Sequence, residues 1–501
     1  MTGKFKFRNH PLLFEINTAS WLFDLSDQLG KTVHLGDVPS HEWDKIKSMG
    51  MDFVWLMGIW NRSQESRRIC LSSQELCTQF EKVLPAYSAE DIIGSCYSIN
   101  SYKPDPLIGN WVDLDRARTE LNKRGIGLIL DFIPNHTGID HHWVFEHPEY
   151  YIQGTQADYL KDKKAFFTVK AREKTLNIAH GRDPYFPPWT DTAQLNYFNP
   201  AVRSAMVDNI KEISLHCDGL RCDMAMLALN DVFMRMWGWT NPDNQYQMPH
   251  DEFWSQVLTE VPGLVYLAEA YWDTEWTLQQ LGFDFVYDKR LYDRLKSGLP
   301  HDVFLHLKAD LAYQVKLLRF IENHDEPRSL ITFGKGLLPA NAALFAGLPG
   351  LKLFFQGQME GRQIRLPIQI RRSKEEKIDT AVSALYSSLL SVINEDICHS
   401  GTWRLKDVFS HTDQTNDNLI AYLWKLGGEI RLTVVNLANK TSRGRVCFQD
   451  DVNEEVDYNL EEFFSGLSLR ENGQIMAHPG LIFLLSEHHQ LLECTDAHDQ
   501  T

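Results

Sequence analysis

The sequence predicts an α/β fold: a (β/α)8 TIM barrel with an inserted subdomain after its third strand, followed by a C-terminal antiparallel β-sandwich. Three observations predict it. Eight short apolar runs alternate with stretches of helical period, one connection is too long for a simple loop, and beyond about residue 400 the pattern becomes alternating strands.

The eight runs cover 12–16, 53–59, 126–130, 219–222, 264–268, 283–286, 317–321 and 351–355. Each is continuous and bounded by glycine or polar residues, as strands buried on both faces must be. Helical periodicity fills intervals between them, at 111–124, 200–216, 250–260 and 340–346. Start signals precede several helices: Ser40 before Glu42 and Trp43, Asn199 before Pro200, and Asp288 before the turn opening at Lys289.

Between His136 and Pro200 the chain carries aromatic and proline-rich residues, including Trp143, Tyr150, Phe166 and the run Tyr185-Phe186-Pro187-Pro188-Trp189, but no barrel unit. Structureless loops of that length are rare in compact domains, so a small subdomain over the barrel rim is expected. The runs 419–424, 430–437, 444–448 and 480–485, separated by Gly, Asn and Asp turns, read as a supporting sandwich. The expected boundaries are 1–137 and 199–398 for the catalytic barrel, 138–198 for the insertion, 399–490 for the sandwich and 491–501 for a disordered tail.

Charge and cysteine usage restrict the partners. A net charge of −17 repels nucleic acid and anionic membrane, so neither is expected, while oligomeric state is left open. No stretch of about 18 apolar residues and no signal-peptide core is read in the chain, which predicts a soluble, cytoplasmic protein. The eight cysteines form no Cys-x-x-Cys pair. Cys217 and Cys222, flanking a predicted strand, read as buried thiols of a reducing compartment.

Four acids stand where buried strands emerge: Asp131, Asp223, Glu269 and Asp325. In a parallel barrel the carboxyl ends of all strands meet at one rim, so residues distant in sequence can converge on one pocket. Taken alone, a strand-end aspartate is more often a cap or a loop hydrogen-bond acceptor, and that alternative stands for Asp131. The same reading for Asp223, Glu269 and Asp325 needs three coincidences. Lone histidines such as His136 and His324 would ordinarily be satisfied core groups.

The strings around these acids are Asp131 with Asn135-His136, Arg221 with Asp223, Glu269 after an apolar run, and Asn323-His324-Asp325. In that order they resemble the four short motifs of glycoside hydrolase family 13, the α-amylase family. The resemblance implies a retaining α-glycoside hydrolase acting on α-linked glucosides or oligosaccharides. Asp223 matches the nucleophile, Glu269 the general acid and then base, and Asp325 the third carboxylate, which binds sugar hydroxyls. Two-carboxylate chemistry of this kind passes through an oxocarbenium-like state. Arg221, on the same strand face as Asp223, would keep that carboxylate ionised, and the apolar surroundings of Glu269 would favour its protonated form. His136 and His324 match sugar-binding histidines, and Tyr97 matches an aromatic platform under the ring that is cleaved. Asn135 matches a position that binds calcium in many relatives. No cofactor is required by the sequence itself, and calcium is an expectation of the resemblance alone.

The chain also departs from the family pattern. Many family amylases carry Lys-His three and four residues after the nucleophile, where Met226 and Leu227 stand here. Asp325 is followed by Glu326-Pro327-Arg328, similar to oligosaccharide-acting α-glucosidases. After the eighth run, Gln356-Gly357-Gln358-Met359-Glu360-Gly361 resembles the family's Gly-Gln-x-x-Gly ending. Two alternatives follow: a transglycosidase or phosphorylase with the same active site, and a non-catalytic carbohydrate-binding member.

Overall fold

The computed structural model describes residues 3–171, 173–240, 247–410 and 414–446, together with the strands Tyr458–Glu462, Ile475–Ala477 and Phe483–Glu487. All eight apolar runs are strands: β1 Leu12–Asn17, β2 Phe53–Met57, β3 Gly127–Phe132, β4 Gly219–Cys222, β5 Val265–Ala268, β6 Phe285–Tyr287, β7 Leu317–Arg319 and β8 Leu351–Phe355. They close into a barrel in which each strand lies beside its neighbours in the chain. Strand pairs such as β3 with β4 and β4 with β5 are parallel. Register is the feature that matters for chemistry. Cys222 of β4 lies opposite Phe132 of β3 and Ala268 of β5. The next residues, Asp223 and Glu269, therefore leave adjacent strands at the same level. Gly219 permits this approach, because a Cβ there would meet the Val265 carbonyl oxygen at 2.5 Å.

Helix starts follow the side-chain chemistry at two of the three predicted caps. Asn199 accepts a hydrogen bond from the Ala201 amide ahead of Pro200–Ile213, and Asp288 accepts from Leu291 ahead of Lys289–Ser297. The expectation at Ser40 is corrected. That helix runs Ser40–Ser48 with Pro39 at the cap position, and the Ser40 hydroxyl instead accepts from Arg124 at 2.6 Å.

The stretch at 340–346 belongs to a longer helix, Ser329–Gly347, which breaks at Gly334 (φ 65°) and contains Pro339. By length and mean hydropathy this helix could cross a membrane, which corrects the expectation that no such stretch exists. Its apolar character is diluted by Thr332, Gly334 and Lys335 rather than continuous, and 56% of its apolar window is buried inside the protein.

The chain divides into two compact units. The first comprises Met1–Lys6, Leu13–Tyr287 and Arg365–Glu375. Within it, the predicted insertion forms a three-stranded antiparallel sheet from Gln153–Gly154, Phe166–Ala171 and Lys174–Ala179, and the strand Thr192–Gln194 pairs with His136–Gly138. The second unit comprises Phe7–Leu12, Asp288–Ile364 and Glu376–Thr501. Its C-terminal strands are antiparallel. Thr402–Lys406, Leu419–Leu426 and Glu429–Asn436 form one sheet, and Val408–Phe409, Ser442–Val446 and Ile475–Ala477 another. The predicted strands at 444–448 and 480–485 lie partly outside the described residues, and the predicted tail at 491–501 wholly outside them. The two units meet in the chain between Tyr287 and Asp288. Six cysteines of the described residues are free thiols; Cys217 and Cys222 are buried, and burial pushes the Cys217 thiol up to about 12.

Candidate active site

Arg221, at the third position of β4, organises the first unit's candidate residues. One guanidinium nitrogen donates to Asp223 Oδ1 at 2.7 Å and the other to Glu269 Oε2 at 2.7 Å. Asp131 Oδ1 lies 3.5 Å from the same guanidinium. All four side chains are buried or nearly so. Burial alone would loosen the guanidinium's hold on its proton. The charge of Glu269, together with Tyr97, Tyr287 and Asp223, outweighs it and holds Arg221 well above the ordinary arginine range. Three rings surround the cation: Trp55 at 5.0 Å, Tyr97 at 5.3 Å and Tyr287 at 5.7 Å. The ring faces attract the cation, the Tyr287 hydroxyl accepts from Nε at 3.4 Å, and the two terminal nitrogens are left directed at the carboxylates.

Glu269 is also fixed from two further directions. Its Oε1 accepts from the Tyr271 hydroxyl at 2.6 Å, and its Oε2 from the Met224 backbone N–H at 2.7 Å. Met224 adopts φ 42° and ψ 47°, a left-handed conformation rarely taken by a residue with a side chain. That turn immediately after Asp223 aims the amide at Glu269. Trp272 (φ 60°) and Asp273 (φ 66°), just past Glu269, share the left-handed region. Unusual backbone thus gathers on both sides of the acid pair, where strain is commonly stored.

Asp131 supports the strand end. Its Oδ2 accepts from the Gly58 N–H at 2.8 Å, and its carbonyl from the Trp60 indole at 2.7 Å. Gly58 sits at φ 74°, and a Cβ there would meet Cys96 Cβ at 2.7 Å, so only glycine delivers that amide.

His136 is buried, and burial lowers its pKa to about 4 against the weaker opposing pull of Asp191 and of the hydrogen bond to Tyr97. Both ring nitrogens have partners: Nε2 meets the Tyr97 carbonyl at 3.1 Å, and Nδ1 the Asn135 amide nitrogen at 3.3 Å. In this state the histidine supports Tyr97 rather than offering a free N–H.

The Asn135 side-chain oxygen accepts from Gln194 at 2.9 Å. The Asn135 oxygen, the atom that the resemblance would turn toward calcium, is thus engaged by the Gln194 amide. Among the described residues no group of three or more His, Cys, Asp or Glu side chains could hold a metal.

His324 and Asp325 belong to the second unit, in the loop that follows β7. Asn323 Oδ1 accepts from the amides of Asp325 and Glu326, both at 2.9 Å, fixing the turn. His324 Nε2 lies 3.1 Å from Asp325 Oδ2, with the histidine buried and the Asp325 side chain 48% exposed. Arg328, read in the sequence as a substrate-class signature, is buried between Glu322 at 3.1 Å and the Gln356 carbonyl at 2.8 Å. Met226 and Leu227 are buried in the turn after Asp223.

Sequence reasoning missed Trp55, Tyr287 and the Met224 amide, and read the surroundings of Glu269 as apolar where Tyr271 offers it a hydroxyl. The aromatic residues carried a faint signal, each standing in or next to a predicted barrel strand, but core packing accounts for such residues equally well. The backbone amide carries no sequence signal.

The family description Alpha amylase, catalytic domain, matches residues 40–283. Alpha-amylase 3 of Dictyoglomus thermophilum is 24% identical over 306 residues, covering 56% of this chain and 57% of that protein. Trehalose synthase/amylase TreS of Mycolicibacterium smegmatis is 24% identical over 350 residues, covering 63% and 52%. The chain thus spans about half the length of the curated relatives it matches. Among solved structures, the maltogenic alpha-amylase AmyB from Thermotoga neapolitana superposes with a TM-score of 0.68 at 18% identity, covering 96% of this chain and 99% of that one, which shows the shared fold.

Proposed function

From a chain that belongs to the α-amylase family, we propose a retaining glycosidase acting on α-linked glucosides or oligosaccharides in the cytoplasm. The observation that carries this reading is the single guanidinium of Arg221 spanning Asp223 and Glu269. Retaining enzymes hold their two carboxyl groups about 5–5.5 Å apart, whereas inverting ones leave roughly 6.5–9.5 Å for a water. A clamp that touches both acids suits the shorter spacing.

In the first step Asp223 attacks the anomeric carbon while Glu269 gives its proton to the departing glycosidic oxygen, so the C–O bond breaks and a glycosyl ester forms on Asp223. In the second, Glu269 takes a proton from water, whose oxygen attacks the same carbon and releases Asp223. One water is consumed per bond cleaved, and Glu269 ends protonated as it began.

Glu269 shares Arg221 in the resting state, so the desolvation expected from its apolar surroundings is only part of its setting. Substrate arrival, with exclusion of water and a new partner for Arg221, completes the proton-donating state. The reading assigns sugar-hydroxyl contacts to Asp325 and His324, and stacking to Tyr97.

The test is a panel of maltose, maltooligosaccharides, starch, isomaltose, sucrose and trehalose, with and without phosphate or a sugar acceptor. Release of the α-anomer first supports the double displacement, and the β-anomer first overturns it. Products that appear only with added acceptor or phosphate would move the reading to a transglycosidase or phosphorylase with the same residues. Binding without turnover across the panel would favour a non-catalytic carbohydrate-binding protein.

A further inference from the structure

Two side chains away from Glu269, through Tyr271 to Trp272, the first unit holds a cleft of ≈ 440 Å³ whose lining is rich in aromatic and cationic residues. The connection to Glu269 is short. Tyr271, bonded to Glu269, has its ring 6.3 Å from Trp272, and Trp272 lies 5.3 Å from Tyr185 in an edge-on contact. Tyr185 and Phe186 are 70% and 69% exposed and Trp239 is 50% exposed. Large rings gathered in the open on one wall mark a surface that expects a ligand. Sugar rings present apolar C–H faces that such side chains can cover.

The cleft also carries two guanidinium groups, Arg182 and Arg235. Arg182 stands over the Trp237 ring at 4.7 Å. Burial lowers its pKa and the more distant charge of Asp162 opposes that, yet no carboxylate of the described residues forms an ion pair with it. The Arg235 side chain donates from Nε to the Asp231 carbonyl at 3.2 Å. The acid in the lining, Asp183, accepts the amides of Tyr185 and Phe186 at 2.6 and 2.9 Å. In a protein of net charge −17, a site with two such arginines is an inversion of the local field. The turn after Asp223 contributes no hydrogen-bonding side chain, since Met226 and Leu227 are buried.

We propose that this cleft receives the leaving unit of the substrate and that this unit is an anionic sugar, bearing a phosphomonoester or a carboxylate. Arg182 and Arg235 hold the anion, and Trp272 and Tyr185 pack against the sugar. The planar fork of a guanidinium matches both anions. The inference rests on the glycosidase reading for the reaction, but its binding half is independent of turnover.

Two measurements test it on the full chain. The first compares kcat/KM for trehalose and maltose with the same disaccharides phosphorylated at the 6-position of one glucose, and with an α-glucoside of glucuronic acid. Selectivity of about tenfold or more for an anionic substrate is expected, falling toward one in the double variant Arg182→Gln, Arg235→Gln and largely kept in Arg182→Lys, Arg235→Lys. The phosphate and glucuronate arms identify which anion is meant. The second titrates tryptophan fluorescence with glucose 6-phosphate, glucuronate, glucose and inorganic phosphate. Tighter binding of an anionic sugar than of both glucose and inorganic phosphate is expected, with the preference lost in the double Gln variant. Neutral substrates cleaved as well as anionic ones, or a selectivity untouched by the Gln variant, would overturn the proposal while leaving the glycosidase reading intact. Anionic-sugar binding without hydrolysis of any substrate would keep the cleft and remove the reaction.

Discussion

Two buried arginines, Arg221 in the first unit and Arg319 in the second, are equally hidden from water and solve different problems. Arg319 donates to the carbonyl of Pro349 at 2.6 Å, to Asp288 at 3.1 Å and to Gln314, while Asp288 also meets His306. Desolvation works against ionised Asp288, but His306 and Arg319 prevail and hold its pKa at about 2. Every donor there ends on a neutral acceptor or a shared acid. Arg221 instead faces Asp223 and Glu269 together, with Asp131 nearby, and is walled by rings. Burying more acid than base is expensive. A cluster built only for stability would avoid it, and two-carboxylate chemistry requires it.

The largest contrast lies in activity. Asp223→Asn should lower kcat by roughly 10⁴-fold or more with little change in melting temperature, since it relieves excess charge. Glu269→Gln should do the same for natural glycosides but spare substrates whose leaving group needs no proton, such as α-glucosyl fluoride. Retained hydrolysis in either variant would break the comparison.

Asp288→Ala should invert the pattern. It leaves Arg319 and His306 buried without their acid and removes the cap of Lys289–Ser297, so denaturant unfolding should show a loss of about 3–5 kcal/mol. A normal midpoint in urea would contradict the assignment of this cluster to stability.

Arg221→Lys sharpens the comparison, because a point charge cannot span two carboxylates as a planar fork does. A fall in kcat of roughly 10²-fold, larger than any change in KM, is expected from steady-state kinetics.

The two clusters should also separate by pH. His136 is kept neutral by burial, with a pKa near 4 against an ordinary 6.5. Its contribution is fully present above pH 6.5 and lost as pH falls through 4. Asp288 lies near 2 against an ordinary 3.8, so its contribution persists to about pH 4 and is lost only as pH falls through 2. The melting-temperature difference between wild type and His136→Asn should therefore narrow from pH 6.5 downward. The difference between wild type and Asp288→Ala should hold until below pH 4.

The smallest effect belongs to Met224→Gly. Removing the side chain from a left-handed position offsets the entropy that glycine brings, and a stability change under about 1 kcal/mol is expected by calorimetry.

Much of this was legible in the sequence, for a definite reason. The barrel strands are short and fully buried, so the continuous apolar runs at 53–59 and 126–130 fit little besides a strand enclosed on both faces. Asp223 and Glu269 were legible because each directly follows such a run. Ser40 misled because a hydroxyl before a helix is the same signal whether it caps or, as here, receives Arg124 from elsewhere in the chain. The aromatic cage of Arg221 was invisible because Trp55 and Tyr287 sit in strands where any large apolar residue would be read as core. The Met224 amide depends on a backbone angle that its side chain does not favour.

Covalent trapping tests the acid pair most directly. The intact protein would be treated with a fluorinated α-glucosyl fluoride whose second step is slow, digested, and read by mass spectrometry. A glycosyl mass added to the peptide containing Asp223, absent in Asp223→Asn, is expected. A label on a different carboxylate, or full turnover of the reagent with no protein-bound sugar, would contradict the account.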